Sequence, residues 1–222
     1  MTVKKELEQV GCIYSNHFVG TSGKHLSGYC NIDPLLVHVS LVNKLIKQLV
    51  IPFKDDNIET VVSPAVGAIP FCHWGAFHLK KLTGKEVNGV WADKVAGAPV
   101  KTFAFERQGF AKAVKGKRVL ILEDMINQMS SINATIEAVK KEGGKIVGVG
   151  SVAANQGVTA RAMGVKKYIH LADVIYDAWT PDDCAKIGLC SNNVPIVEDI
   201  GHGDKFKKAN PKYKGGYVKL LS

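Results

Sequence analysis

Two adjacent acids, Glu123 and Asp124, close the apolar run Val119-Leu120-Ile121-Leu122, and a short polar loop, Asn127 to Ser131, follows them. Carboxylates at the carboxyl end of a strand stand where open α/β sheets hold their ligands. A loop that then opens a helix is a natural phosphate cradle, because its free backbone N–H groups and the helix dipole both favour negative charge. The bland alternative is that the acids only solvate the turn. The chain around them supplies the elements such a site needs: a helix-like run over 132–142, then Gly143-Gly144, then a second apolar run from Ile146.

An unbroken apolar strand is expected where helices cover both faces of a parallel sheet. The rest of the chain repeats this alternation. Residues 3–10 read as a short amphipathic helix, and 17–24 as a polar, glycine-bearing turn. Asp33-Pro34 suits a helix start, with Asp33 as cap and Pro34 in the first turn. Leu35, Leu36, Val39, Val42, Leu45, Ile46 and Leu49 follow at helical spacing. Strands are expected at 60–63, 87–91, 100–105, up to about 153 and at 168–171; helices at 69–82 and near 158–163; a polar connection at 106–117. The last fifty residues, rich in Pro, Gly, Asn and Asp, read as irregular. Alternating strands and helices imply a single α/β domain on a parallel sheet. Residues 1–32 and 175–222 would be hood or tail additions.

Composition narrows the partners. The 222 residues are 46% hydrophobic and 22% charged, which is globular. No apolar run is long enough for a membrane span. MTVKKELEQVG lacks an apolar signal core, so a cytoplasmic protein is expected. A net charge of +9 favours anionic ligands. No zinc-finger, helix-turn-helix or RNP pattern supports nucleic acid, and neither Walker A nor G-x-G-x-x-G is present. Cys184 and Cys190 are six apart, which is not CxxC zinc spacing, so they read as buried or free thiols. His17 and His25, flanking Ser22-Gly23-Lys24, are candidate functional histidines, whereas His73, His78 and the three tryptophans read as packing residues.

Four segments in order resemble the type I phosphoribosyltransferases, and within them the orotate enzymes. They are HFVGTSGKHLSGYCN (17–31), VVSPAVGAIP (61–70), FAFERQG (103–109) and RVLILEDMI (118–126), with WTPDDC (179–184) continuing the likeness. The resemblance implies a type I phosphoribosyltransferase-like α/β fold: a parallel sheet flanked by helices, with a small N-terminal and C-terminal hood. It implies transfer of ribose 5-phosphate from phosphoribosyl pyrophosphate to a nucleobase, orotate by default, with Mg²⁺ held mainly through the substrate and no confident protein ligand. Glu123 and Asp124 would hold the ribose hydroxyls and offset positive charge, with Arg107, and Lys101 beside it, covering the departing pyrophosphate. Met125, Asn127, Gln128, Met129, Ser130 and Ser131 would cradle the 5-phosphate. Val66, Gly67 and Ala68 would meet pyrophosphate, and Ser22 and Lys24 would face the substrate. Homodimerisation is implied too, with no nucleic-acid or membrane partner.

The sequence departs from that family in places that bear on the substrate. The loop reads Asn127-Gln128-Met129-Ser130-Ser131 where the family carries glycines, which supply left-handed dihedrals and room for phosphate oxygens. The catalytic loop offers only Glu106-Arg107. Ala153-Ala154-Asn155-Gln156 stands where orotate enzymes carry an arginine for the orotate carboxylate, and an amide cannot replace that bidentate grip. Asn155 or Gln156 therefore becomes a candidate reader of a neutral base edge. Two rivals follow: a phosphoribosyltransferase for another base, and a non-catalytic nucleotide-binding regulator on the same fold.

Overall fold

The computed structural model describes every residue except Thr21, Gln128 and Ser222. In chain order the elements are α1 (Val3–Gln9), β1 (Ile13–Val19), β2 (His25–Cys30), α2 (Asp33–Leu36), α3 (Val39–Val50), β3 (Thr60–Pro64), α4 (Ile69–Thr83), β4 (Asn88–Lys94), β5 (Phe103–Ala104), α5 (Phe110–Val114) and β6 (Arg118–Ile126). They continue with α6 (Ser130–Lys141), β7 (Lys145–Ala154), β8 (Tyr168–Asp173), β9 (Ala178–Trp179), α7 (Pro181–Ile187), β10 (Ile196–Val197), α8 (Gly203–Ala209) and β11 (Tyr217–Val218). The chain divides into two compact units, residues 1–6 with 32–174, and residues 7–31 with 175–222. Residues 7–31 and 175–222 of the second unit lie within the segments expected as hood or tail, whereas residues 1–6 and 32, expected with them, belong to the first unit.

The first unit is an α/β layer structure. Its six-stranded sheet runs β5-β4-β3-β6-β7-β8, parallel except for the edge strand β5. β3 is buried at every position and β6 over Val119–Glu123, as helices on both faces require. The period of two sorts these side chains. Val119 and Ile121 pack with Ile132, Ile136 and Val139 of α6, while Leu122 and Val61 close on Gly75 of α4. Chain order reverses between β3 and β6: β4 lies on one side of the pair and β7 on the other. The loops leaving the carboxyl ends of β3 and β6 therefore flank a topological switch point. No described helix is long and apolar enough to cross a membrane.

The second unit carries the sheet β11-β10-β1-β2-β9. Here the structure corrects several expectations. Residues 17–19 belong to β1 and the turn is confined to the residues before His25. The last fifty residues are organised, not irregular: β9 leads into α7, which is capped by Thr180 Oγ1 accepting from Asp183 N–H at 3.1 Å, and α8 and two short strands follow. The chemistry was present in Thr180-Pro181, but two-residue strands leave no periodicity to read.

Other corrections lie in the first unit. Asp33 does not cap; Ile32 takes the N-cap position without a side-chain bond. The expected connection at 106–117 contains α5, the strand expected at 100–105 shrinks to Phe103–Ala104, and 158–163 forms turns instead of a helix. β6 runs through both acids to Ile126.

Candidate active site

The site is built where β3 and β6 end. From Pro64 the chain turns through Ala65-Val66-Gly67 into α4, with a cis peptide between Ala65 and Val66. A Cβ on Gly67 would lie 2.9 Å from Asp124 Oδ2 and 3.9 Å from Asp33 Oδ1. Only glycine lets this backbone approach so closely. Asp33, at the first turn of α2, is thus a third carboxylate of the site. Asp124 N–H donates to Glu123 Oε1 at 3.3 Å, and Met125 N–H donates to Asp124 Oδ1. Glu123 Oε2 is buried and has no hydrogen-bond partner.

Crowding acids out of water favours their neutral forms. Burial raises the Glu123 carboxyl well above the ordinary carboxylate range, the Asp124 charge adds to this, and Lys101 opposes it. Burial also raises Asp124, with Asp33 adding to it while hydrogen bonds from Glu123 and the Met125 N–H work against it. Oxygens held in this state favour hydroxyl donors or a hard cation, either of which returns what burial removed.

Behind the acids, the loop enters α6 through Met129, whose φ of 56° is left-handed. The position that glycine would occupy without strain thus falls on a side chain that packs against the α6 core. Lys101 Nζ donates to Ser131 Oγ at 2.6 Å, setting a cation at the first turn of α6. Asn155 Nδ2 donates to Asn127 Oδ1 at 2.7 Å, and Asn155 Oδ1 accepts from Gln156 N–H at 2.7 Å. The Asn155 amide is therefore engaged in bracing the loop. Gln128 lies outside the described residues.

A family model described as "Phosphoribosyl transferase domain" matches residues 32–182, more than half of the chain. The chain belongs to the phosphoribosyltransferase family. It is 31% identical over 192 residues to the orotate phosphoribosyltransferase of Pelotomaculum thermopropionicum, covering 86% of this chain and 92% of that protein. It is 28% identical over 206 residues to the Thermotoga maritima protein of the same name, covering 91% and 100%. Among solved structures, the orotate phosphoribosyltransferase of Aeropyrum pernix matches with a TM-score of 0.58 at 19% identity, over 78% of this chain and 94% of that one. Adenine phosphoribosyltransferase from Rhodothermus marinus matches at 0.54 and 23%, over 78% and 98%. At those identities the likeness is one of fold.

In this phosphoribosyltransferase, Glu123, Asp124, Met125 and Gly67 come together, and Ala68 is the N-cap of α4. Val66 extends its side chain outward, 80% exposed. Lys101, Ser130 and Ser131 meet at the start of α6. Arg107 is held elsewhere: its Nε donates to Asp93 Oδ2 at 3.1 Å and its guanidinium lies 4.9 Å over the Trp91 ring. Ser22 and Lys24 fall in the turn between β1 and β2, in the second unit. Sequence reasoning missed Asp33 because helix-start chemistry explained it fully, and its bearing on Asp124 depends on the loop at Gly67.

The second unit holds another polar cluster, His17, His25, Cys184 and Cys190. Burial lowers the pKa of His17, and it pushes His25 down to about 4 with the His17 charge adding. His73 packs against Trp91, and His78 bonds Asn43 Oδ1 at 2.6 Å, so both are packing residues.

Proposed function

We propose that this enzyme transfers ribose 5-phosphate from phosphoribosyl pyrophosphate to orotate. The base nitrogen bonds to ribose C1, the C1–oxygen bond to pyrophosphate breaks with its electron pair, and the nitrogen proton leaves to solvent. The observation that carries the reading is the approach of the Gly67 backbone to Asp124 at the switch point. It joins a pyrophosphate-facing loop to a carboxylate pair suited to two ribose hydroxyls. Glu123 and Asp124 accept those hydroxyls, and their negative charge favours the cationic ribose of the transition state. The first turn of α6, with Ser130, Ser131 and backbone N–H groups, receives the 5-phosphate. Lys101, already bonded to Ser131, supplies positive charge there, and Arg107 would have to leave Asp93 to reach pyrophosphate.

The carboxylates at this end of the sheet offer only oxygen, the donor type Mg²⁺ takes, and the ion would be held mainly through substrate oxygens. Bound there, the ion would neutralise charge developing on pyrophosphate. We place the enzyme in the cytoplasm as a homodimer; light scattering of the purified chain tests the latter.

Orotate rests on the printed names of the relatives. A neutral base is the second reading, favoured by Asn155 standing where a carboxylate-gripping arginine is expected. Pyrophosphate release with orotate and a panel of purines and pyrimidines decides, with Glu123→Gln/Asp124→Asn protein as blank. Release with orotate supports the first reading. Release only with a neutral base reassigns the acceptor. No release with any base would sink both and leave a nucleotide-binding protein.

A further inference from the structure

Four side chains from distant parts of the sequence converge inside the second unit. His17 is on β1, His25 on β2, Cys184 on α7, and Cys190 in the loop after α7. Their ligand atoms all lie within 4.8 Å of one another. Cys184 Sγ is 3.7 Å and Cys190 Sγ 3.8 Å from His17 Nε2, Cys190 Sγ is 3.3 Å from His25 Nδ1, and the two ring nitrogens are 2.7 Å apart. Zinc takes sulfur at ~2.3 Å and imidazole nitrogen at ~2.0–2.1 Å, so a tetrahedral site spaces its ligand atoms by about 3.3–3.8 Å. The three sulfur–nitrogen separations meet that already. The nitrogen pair reaches it if the rings open by roughly 0.6 Å.

We propose that His17 Nε2, His25 Nδ1, Cys184 Sγ and Cys190 Sγ form a structural zinc site that ties the N-terminal hairpin to the C-terminal segment of this unit.

His17 and Cys184 are braced as metal ligands are, while the other ring nitrogen of His25, Nε2, is buried without a hydrogen-bond partner. His17 Nδ1 lies 2.9 Å from Val194 O, which can only accept. That bond puts the imidazole proton on Nδ1 and leaves Nε2 as a lone pair facing the sulfurs. Cys190 N–H donates to Cys184 Sγ at 3.3 Å, a bond that strengthens when the sulfur is a thiolate. Gly188 is fitted beneath the cluster: a Cβ there would stand 2.8 Å from Cys184 Cα and 3.0 Å from its sulfur. The bulged register between Ser15 and Phe18 turns His17 inward. His17 then shares the face of Val19, which pairs with His25, so the two histidines form a diagonal cross-strand pair.

The donor set selects the ion. Two thiolates and two neutral imidazoles favour a borderline-soft tetrahedral cation, and with Zn²⁺ the buried cluster carries no net charge. Four protein ligands leave no open position, so the site is structural. The need is plain as well. The described core of this unit centres on Phe18, Val197 and Ile200, and it is drawn from chain segments far apart in sequence. A cross-link closing so long a loop removes the most entropy from the unfolded chain.

The test is metal analysis of the full chain purified anaerobically, without chelator. About one zinc per chain is expected. Protein loaded with Co²⁺ instead should show the intense visible bands of tetrahedral cobalt and a thiolate-to-metal charge-transfer band. Cys184→Ser and Cys190→Ser should each lose the zinc. Because such variants can misfold, the wild-type protein carries a second readout. Alkylation followed by peptide mass spectrometry should find Cys184 and Cys190 protected until chelator is added, with a lower melting midpoint after stripping. Three outcomes overturn the proposal: folded wild-type protein without zinc whose melting is unmoved by added Zn²⁺, a Cys184–Cys190 disulfide, or thiols equally reactive with and without chelator.

Discussion

The two units each bury a cluster of groups that would rather be in water, and they do it in opposite ways. In the first, Glu123 and Asp124 are neighbours on one strand, met by Gly67 and Asp33, and all the donors are oxygen. In the second, nitrogens and sulfurs from β1, β2, α7 and the following loop converge across as many as 173 positions of sequence. The first cluster is left deficient: an orphaned carboxylate oxygen and raised acids mark a place prepared for something that arrives and leaves. In the second, bonds fix the lone pairs of His17 and Cys184, although His25 Nε2 is also buried without a partner. What separates the two clusters is donor chemistry and sequence distance: contiguous oxygens in one, and nitrogens and sulfurs gathered from far apart in the other.

The comparison breaks most sharply on single substitutions. Asp124→Asn keeps the shape of the side chain but removes its charge, and should lower kcat/KM about 10²–10³-fold. Melting should barely move. A variant that loses stability in step with activity would show that Asp124 is a structural acid. Cys184→Ser should do the reverse, costing about 3 kcal/mol or more of stability in the second unit as the metal leaves. Hydrogen exchange resolved by peptide reads that loss, which should fall on residues 7–31 and 175–222 before β3 or β6.

Gly67→Ala probes the close approach itself. The new Cβ would meet Asp124 Oδ2 at 2.9 Å, so the carboxylate must shift by a few tenths of an ångström. About tenfold in kcat/KM is expected, mostly through the KM for phosphoribosyl pyrophosphate. An unchanged KM would place the pyrophosphate away from this loop.

Sequence legibility divides along the same line. The parallel sheet could be read because β3, β6 and β7 are apolar runs whose character does not depend on neighbours. The acid pair could be read because it is contiguous. Asp33 and Lys101 could not be assigned to the site with the same force, since only the folded loops bring one toward Asp124 and the other to Ser131. Among the described residues of the loop, the left-handed one is Met129, against the propensity that favours asparagine, and its packing on the α6 core offsets a local cost of about 1–2 kcal/mol. Cys184 and Cys190, judged by their own spacing, argue against zinc. Nothing in a linear reading says that His17 and His25 face them, because a β-bulge and two-residue strands decide it.

The smallest effect is the one that most sharpens the contrast. Glu123 is pushed well above the ordinary carboxylate range by burial first, then by Asp124, while Lys101 pulls the other way and Asp33 acts on Asp124. A folded-state pKa above the unfolded one means the native protein holds the extra proton. The contribution is complete below the unfolded value and is lost as pH rises through the folded one. Glu123→Gln cannot ionise, so without substrate or magnesium it should melt like wild type in acid. It should become more stable than wild type as pH climbs, by on the order of 1 kcal/mol, while activity falls. Thermal melts of both proteins across pH measure the divergence. Parallel curves would mean that Glu123 is not strained in the empty site, and the carboxylate pair would lose its claim to be a cluster prepared for a ligand.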